Sequence, residues 1–465
     1  MGAADLLITE LEAALPAGRV ATGAAISPDD CHDESLHPCE TLPLCVVRPQ
    51  STQEVVIVAA TCDRYDTPIV ARGSGTGLSG AGTPLPGAVL VAFDAMACVK
   101  EVDVENQVAV VEPGVTLREL EAALTGTGLS YPVYPGELSG SLGGNVNTNA
   151  GGMRAVRHGV TRHHVIGLEL VLIDGTVVRT GGKVMKSSSG YDLTQLVVGS
   201  EGTLALVTEV TVKLSPALEH VATLLVPFGD VAQVTEAVPR ILATGLAPSI
   251  LEYLDAVSMA AVTKAASLEF GVPDDITQKA AAWLVVVLET RTPVMLDDDT
   301  AFAAELLADL GALDVFVLPT NAGKGLIEAR ERSFYVSKAA GADEIIDIVV
   351  PRAEVTAFLA AATAIAQRHE AFISGCGHVG DGNIHLAVFQ PDRPRRTAML
   401  DELFAAGIDA GGKVSGEHGI GVDKQRPYLA LTDPAVLDLQ HRIKAAFDPK
   451  GLLNPGRMLD DRRNA

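Results

Sequence analysis

The sequence predicts an α+β protein in three parts. Residues 1–214 form one domain, residues 215–410 a second α+β domain, and residues 411–465 a C-terminal segment that returns to the first. Three observations predict it. The chain has 465 residues, 48% of them hydrophobic, enough for two to three domains with buried cores. Its first half reads as short apolar runs separated by glycine loops. Near Leu214–Pro216 the texture changes, and strands then alternate with longer helices.

In chain order, Pro68–Ala71 and Ala88–Phe93 are strands flanking a glycine-rich segment. Gln107–Val111 is a strand stopped by Pro113-Gly114, after which Thr116 caps a helix over Leu117–Leu124. Val165–Ile173 and Thr176–Arg179 make a hairpin around Asp174-Gly175, a favoured turn pair. Thr203–Leu214 is rich in β-formers. Beyond it come three strand–helix pairs: Thr223–Pro227 with Val231–Ala243, Trp283–Glu289 with Asp299–Leu310, and Ile345–Val350 with Arg352–His369. That rhythm predicts helices covering one face of a sheet. Pro434–Phe447 is a helix, followed by the loop FDPKGLLNPGR.

Charge and cysteine usage narrow the function. Lys and Arg number 35 against 58 Asp and Glu, a net charge of −23, and phosphate repulsion argues against a nucleic-acid partner. Met1–Pro16 carries Asp5, Glu10 and Glu12 where a secretory leader needs an apolar stretch. No apolar run reaches the length needed to span a bilayer, and Val355–Ala366 reads as a buried helix. With no C-x-x-C pair, the six cysteines fit a reducing cytoplasm, with peripheral attachment to the inner face of the membrane allowed. Cys31, Cys39 and Cys45, with His32 and His37, are either a loose metal cluster or buried thiols in an irregular segment.

The stretch RGSGTGLSG, Arg72–Gly80, contains G-x-G-x-x-G. A Rossmann turn needs a helix next, and Ala81-Gly82-Thr83-Pro84-Leu85-Pro86-Gly87 cannot propagate one. Nor does an acidic residue sit about 20 residues on in a second βαβ strand. A helix-free nest of N–H donors at Gly73, Gly75 and Gly77, with Ser74, Thr76 and Ser79 hydroxyls and the Arg72 charge, suits a phosphate. A second block, YPVYPGELSGSLGGNVNTNAGG (Tyr131–Gly152), suits backbone laid against a flat ring or phosphate. The third is SSSGYDLTQLVVGSEGTLALVTEVTVKL, Ser187–Leu214.

Together with LNPGR near the C-terminus, these blocks resemble the FAD-linked oxidases of the vanillyl-alcohol oxidase/p-cresol methylhydroxylase superfamily. The similarity is to the branch of glycolate oxidase D subunits, D-lactate dehydrogenases and D-2-hydroxyglutarate dehydrogenases, over about Leu42 to Arg457. It implies an FAD-binding domain of two α+β subdomains and a ferredoxin-like α+β substrate or cap domain. By that resemblance Arg72, Gly73, Ser74, Gly75, Thr76 and Gly77 hold the pyrophosphate. Pro135, Gly136, Gly140, Ser141, Gly144, Asn149 and Gly152 line the flavin and its linker. Glu201, Gly202 and Val207 sit near the adenosine, and Asn454 returns to the flavin. Family members often close LNPGR with Lys where Arg457 stands here. The glycine run carries no histidine, so the FAD is expected to be noncovalent.

GCGHVGDGNIHLAVF, Gly375–Phe389, places His378 and His385 with six residues between them, and SGEHGIG adds Glu417 and His418. Imidazole and carboxylate are common divalent-metal ligands, although two histidines at this spacing are often structural. If His378 lies in a loop and His385 on the next strand, both reach one ion, with Glu417 third. The resemblance implies a divalent metal on His378, His385 and Glu417, zinc first, with manganese or iron as alternatives. It also implies His418 as general base. Arg330 or Arg332 supplies the cation for a substrate carboxylate, unless both lie on a solvated helix face; the resemblance favours Arg330.

Relatives acting on 2-hydroxyglutarate carry Thr, Lys and Asn where this chain has Phe334, Ile345 and Ala387. The implied substrate is therefore a D-2-hydroxy acid with one carboxylate, such as D-lactate, glycolate or a larger apolar acid. The alternatives are a non-catalytic FAD-binding subunit of a larger oxidase, or an FAD oxidase of another alcohol. The electron acceptor is a cytochrome, a quinone, an electron-transfer flavoprotein or a partner subunit, and the resemblance allows a homodimer.

Overall fold

The computed structural model describes residues 2–37 and 41–459. The first sheet runs in the order Val20–Ala21, Cys45–Val47, Val89–Ala92, Ile69–Arg72, the last three strands parallel. The glycine-rich stretch after Arg72 joins two of these strands without a helix. Helices Ala3–Ala14 and Thr52–Arg64 bury Leu7, Leu11, Val55 and Val58 against this sheet.

The second sheet is ordered Val99–Asp103, Val108–Val111, Leu206–Lys213, Val165–Val171, Val177–Gly181. Thr116 caps Leu117–Leu124 as expected, in a capping box: its Oγ1 accepts from Glu119 N at 3.2 Å, and Glu119 Oε2 accepts from Thr116 N at 2.8 Å. The hairpin turn also forms, with Gly175 at φ +84°.

The third sheet is antiparallel, in the order Phe316–Leu318, His220–Phe228, Ala282–Thr290, Ile250–Asp255, Phe372–His378, Asn383–Phe389, Glu344–Val349. Helices cover both of its faces, not one. Leu224, Val226, Leu284 and Val286 meet helices Val231–Ala243, Pro293–Asp309, Val355–Arg368 and Arg393–Asp409. Leu225, Trp283, Val285 and Val287 meet Ala256–Ala266 and Thr320–Glu331. The unbroken apolar run in Ala282–Thr290 is the mark of a strand covered twice. Pro293–Asp309 also starts earlier than its apolar pattern, because Thr292 caps it and Pro293 fills the first turn.

The C-terminal segment runs back along the first sheet. Ile69 N donates to Leu452 O at 2.8 Å and Asn454 N donates to Ile69 O at 2.7 Å. Cys45 and Cys31 pack into different apolar clusters, and burial pushes the Cys45 thiol up to about 12. A metal cluster shared by these two does not form; Cys39 lies outside the described residues. Among the described residues no helix is long and apolar enough to cross a membrane.

Candidate active site

A single cavity of about 340 Å³ begins at the glycine loop and ends at the histidine–carboxylate cluster. It is lined by Arg72, Gly73, Ser74, Gly75, Thr76 and Gly77, then by Pro135, Gly136, Gly140, Ser141, Gly144 and Gly152. Glu201, Gly202, Val207 and Arg330 line it too, as do His378, His385, Glu417 and His418. Asn149 and Asn454 do not. Asn149 ends a short helix in the left-handed region and accepts from Arg162 N at 2.9 Å. Asn454 Nδ2 donates to Glu201 O at 2.6 Å and Ala81 O at 3.1 Å, so it ties wall segments together from behind.

The glycine loop is shaped by its own floor. Gly75 has φ +77°, and a Cβ there would overlap the Arg72 guanidinium folded beneath it. A Cβ at Gly73 would overlap Ser141 Oγ, which caps the short helix Leu142–Thr148. The loop and the second glycine block are thus interlocked above the Arg72 guanidinium, and both line the cavity. Asn145 Nδ2, on that helix, is buried without a hydrogen-bond partner, and its residue lines the same wall. An orphaned donor beside a glycine cradle fits a bound cofactor. Gly75→Ala is expected to lose most of its flavin, read as the flavin-to-protein absorbance ratio after purification.

At the far end, His378 closes the strand Phe372–His378, rather than lying in a loop, and pairing sets Cys376 opposite His385 and His378 opposite Asn383. His378 Nε2 and His385 Nε2 lie 3.1 and 3.3 Å from Glu417 Oε1. The ligand atoms of His378, His385 and Glu417 all fall within 4.8 Å of one another.

Two buried acids that the sequence reading passed over organise the cluster. Glu252 contacts His378 Nδ1 at 2.5 Å and Arg330 Nη2 at 2.9 Å, which leaves Nε2 of His378 toward Glu417. This is the arrangement that orients a metal-binding imidazole. Burial opposes a charge on His378, but Glu252 and Glu417 outweigh it and hold the imidazole well above its ordinary range. That negative surplus fits a cation. Asp347, paired across the sheet with His385, accepts from the backbone N–H groups of Gly416, Glu417 and His418 at 3.1, 3.1 and 2.9 Å. It also accepts from Asn383 Nδ2 and Ser415 Oγ, both at 2.7 Å, and faces Lys424 Nζ at 3.4 Å. Asp347, His385 and His418 form a second geometric group, but Asp347 has few lone pairs left for an ion. Each acid sits in the middle of an apolar strand, ILEYLD or EIIDIV, and that is the signal that would have found it.

His418 stacks on His385 with ring centroids 5.2 Å apart. Burial pushes its imidazole down to about 3, so it stands neutral. Phe334, Ile345 and Ala387 also line the cavity. Glu331, neighbour to Arg330, lines it beside Gly136, and burial pushes its carboxyl up to about 7, with Tyr134 pulling the other way. A raised carboxyl contributes stability below its unfolded value that is lost as pH rises through about 7. Glu331→Gln should therefore melt higher than the native protein at pH ~8, and the two should converge toward pH ~5.

A glycine-rich cradle opening into a buried histidine–carboxylate pocket is the site of a cofactor-dependent enzyme. Residues 43–181 match the FAD binding domain family, and residues 217–458 match the C-terminal domain of FAD linked oxidases. The chain is 36% identical to glycolate oxidase subunit GlcD of Bacillus subtilis, covering 90% of this chain and 89% of that one. It is 32% identical to a D-lactate dehydrogenase of Anaerostipes hadrus, covering 95% and 94%. An uncharacterized FAD-linked oxidoreductase of Mycobacterium tuberculosis is 51% identical over 95% of this chain and 96% of its own. Substrate-bound p-cresol methylhydroxylase shares the fold, at 19% identity, with a TM-score of 0.80 over 100% of this chain and 98% of that one. This chain belongs to the FAD-linked oxidases, in the branch of the glycolate oxidase D subunits and D-lactate dehydrogenases.

Proposed function

We propose that the protein oxidises a D-2-hydroxy acid with one carboxylate, such as D-lactate or glycolate, to the 2-oxo acid. FAD is held noncovalently, and a divalent cation (zinc, manganese or iron) sits on His378, His385 and Glu417. The observation that carries the proposal is the meeting of that ligand set with Arg330 and a neutral His418 at one end of the glycine-lined cavity. Arg330, buried and fixed by Glu252, pairs with the substrate carboxylate. His418 takes the hydroxyl proton. The chemistry supplied by the bound groups is hydride acceptance from C2 at flavin N5 and Lewis-acid polarisation of the hydroxyl. Phe334, Ile345 and Ala387 offer no partner for a second carboxylate, which supports a monocarboxylate. The division at residues 214 and 410, with the last segment completing the site, is part of the same proposal. A cytochrome, a quinone, an electron-transfer flavoprotein or a partner subunit would serve as the electron acceptor.

Anaerobic bleaching of the flavin by D-lactate, glycolate and D-2-hydroxyglutarate, with and without a chelator, tests this. The first two should bleach it and the third should not, and chelation should slow bleaching by about 10²-fold or more. Bleaching indifferent to chelation and to re-addition of zinc, manganese or iron would remove the cation from the proposal. A protein that takes up no flavin would end it.

A further inference from the structure

The face of the third sheet that carries the histidines changes character along its strands. Pairing aligns side chains in rows across Phe372–His378, Asn383–Phe389 and Glu344–Val349. One row holds Cys376, His385 and Asp347; the next holds Ser374, Ala387 and Ile345; the outermost pairs Phe372 with Phe389. Except for Asp347, which stands behind the imidazoles, every member of these rows lines the cavity. The alternate residues Ile384, Leu386 and Val388 face the helices on the other side.

At the strand rise of ~3.3 Å, His385 to Phe389 is a lane of about 13 Å. Its far wall is one face of the helix Ala256–Ala266, contributing Val257, Ser258, Ala261 and Val262. Phe334 and Tyr335 close its flank. No charged side chain from these elements lines it. Its two serine hydroxyls are already partnered: Ser258 and Ser374 Oγ lie 2.8 Å apart, and Ser374 Oγ donates to Asp255 Oδ1 at 3.1 Å. At the outer end, Phe372 and Val257 are 51% and 50% exposed, and the Phe372 and Phe389 rings stand 5.6 Å apart. The Phe372–Phe389 pair stands about 13 Å beyond the His385 row, farther than a lactate methyl extends from C2.

We infer that the lane holds the side chain of an extended apolar D-2-hydroxy acid, a medium-chain 2-hydroxy fatty acid, whose C1–C2 end sits at the histidine cluster. The inference rests on the oxidation proposed above and names the class of acid it serves. The small row at Ser374 and Ala387 lets the chain pass, and the phenylalanine pair covers its outer carbons.

The test is flavin reduction in the holoenzyme by D-2-hydroxypropanoate, -butanoate, -hexanoate, -octanoate and -decanoate. Binding of the matching 2-oxo acids, read by perturbation of the flavin spectrum, runs in parallel. The expected result is an efficiency that rises roughly three- to fourfold per added methylene over the lane. Phe372→Asp and Val257→Asp, both at exposed positions, should each lower the octanoate-to-propanoate ratio tenfold or more. A ratio flat with chain length, in turnover and in binding, overturns the inference while leaving short-acid oxidation standing. If no acid reduces the flavin, the oxidation proposal fails by itself, and the binding series alone decides: tighter binding of longer oxo acids supports the lane, and equal binding removes it.

Discussion

Asp347→Ala is expected to cost about 3–5 kcal/mol of stability and to abolish turnover, the penalty of removing one partner from a buried charged network. Asp347 has no solvent exposure, and its carboxylate gathers the amides of Gly416, Glu417 and His418 onto one oxygen. Burial opposes its charge, but its basic neighbours, Lys424 among them, and the Asn383 hydrogen bond outweigh it and hold the carboxyl well below the usual carboxylate range. Alanine takes the acceptor from the amides of Glu417 and His418 and leaves Lys424 only Ser415 Oγ at 3.4 Å. Asparagine keeps the shape and loses the charge, so Asp347→Asn should keep the fold and lose most activity. Lys424→Met added to Asp347→Asn should restore part of the melting temperature, because the unmatched cation is then gone. Thermal melting with flavin content reads both effects. An Asp347→Ala protein that melts with the native one would refute the clamp.

His418→Ala is expected to slow flavin reduction about 10²- to 10⁴-fold, the range a positioned base contributes. Flavin content should stay, because the cradle lies at the other end of the cavity. Bound cation should stay too, because His378, His385 and Glu417 remain. The loop keeps its course, since Asp347 holds the backbone N–H of residue 418 at 2.9 Å, whereas the ring Nδ1 stands 3.9 Å away. Rapid-mixing reduction under substrate saturation reads the step. An unchanged rate would take the base role away from His418.

Where local chemistry decides, the sequence was legible. Pro84 and Pro86 excluded a Rossmann helix, and the loop that follows Arg72 has none. Thr116 and Pro434 marked helix starts that the structure keeps. The short helix Leu142–Thr148 was not legible, because Gly143 and Gly144 have poor helix propensity. It exists because Ser141 caps it and because Gly143 packs against Pro113 with no room for a Cβ. The histidines and Glu417 stood out as residue types. Glu252 and Asp347 did not, because what makes them matter is register: Asp347 faces His385 only once Glu344–Val349 has paired with Asn383–Phe389. Arg330 could equally have faced water on its helix; only packing against Glu252 buries it.

Glu201, with φ +52°, has its carboxylate spent on the amides of Ile420 and Gly421, at 2.6 and 2.7 Å. Ser79, on the glycine loop, donates to the carbonyls of His418 and Gly419 at 2.9 and 3.1 Å. Asn454 reaches Ala81 across 373 positions of sequence. The consequence concerns timing during synthesis. Sequence separations this long are closed late and slowly. A ribosome-bound chain that has folded its first two sheets has the glycine loop but not yet the His418 loop, which Ser79, Glu201 and Asp347 anchor. The histidine end of the cavity is therefore complete only after nearly the whole chain has emerged.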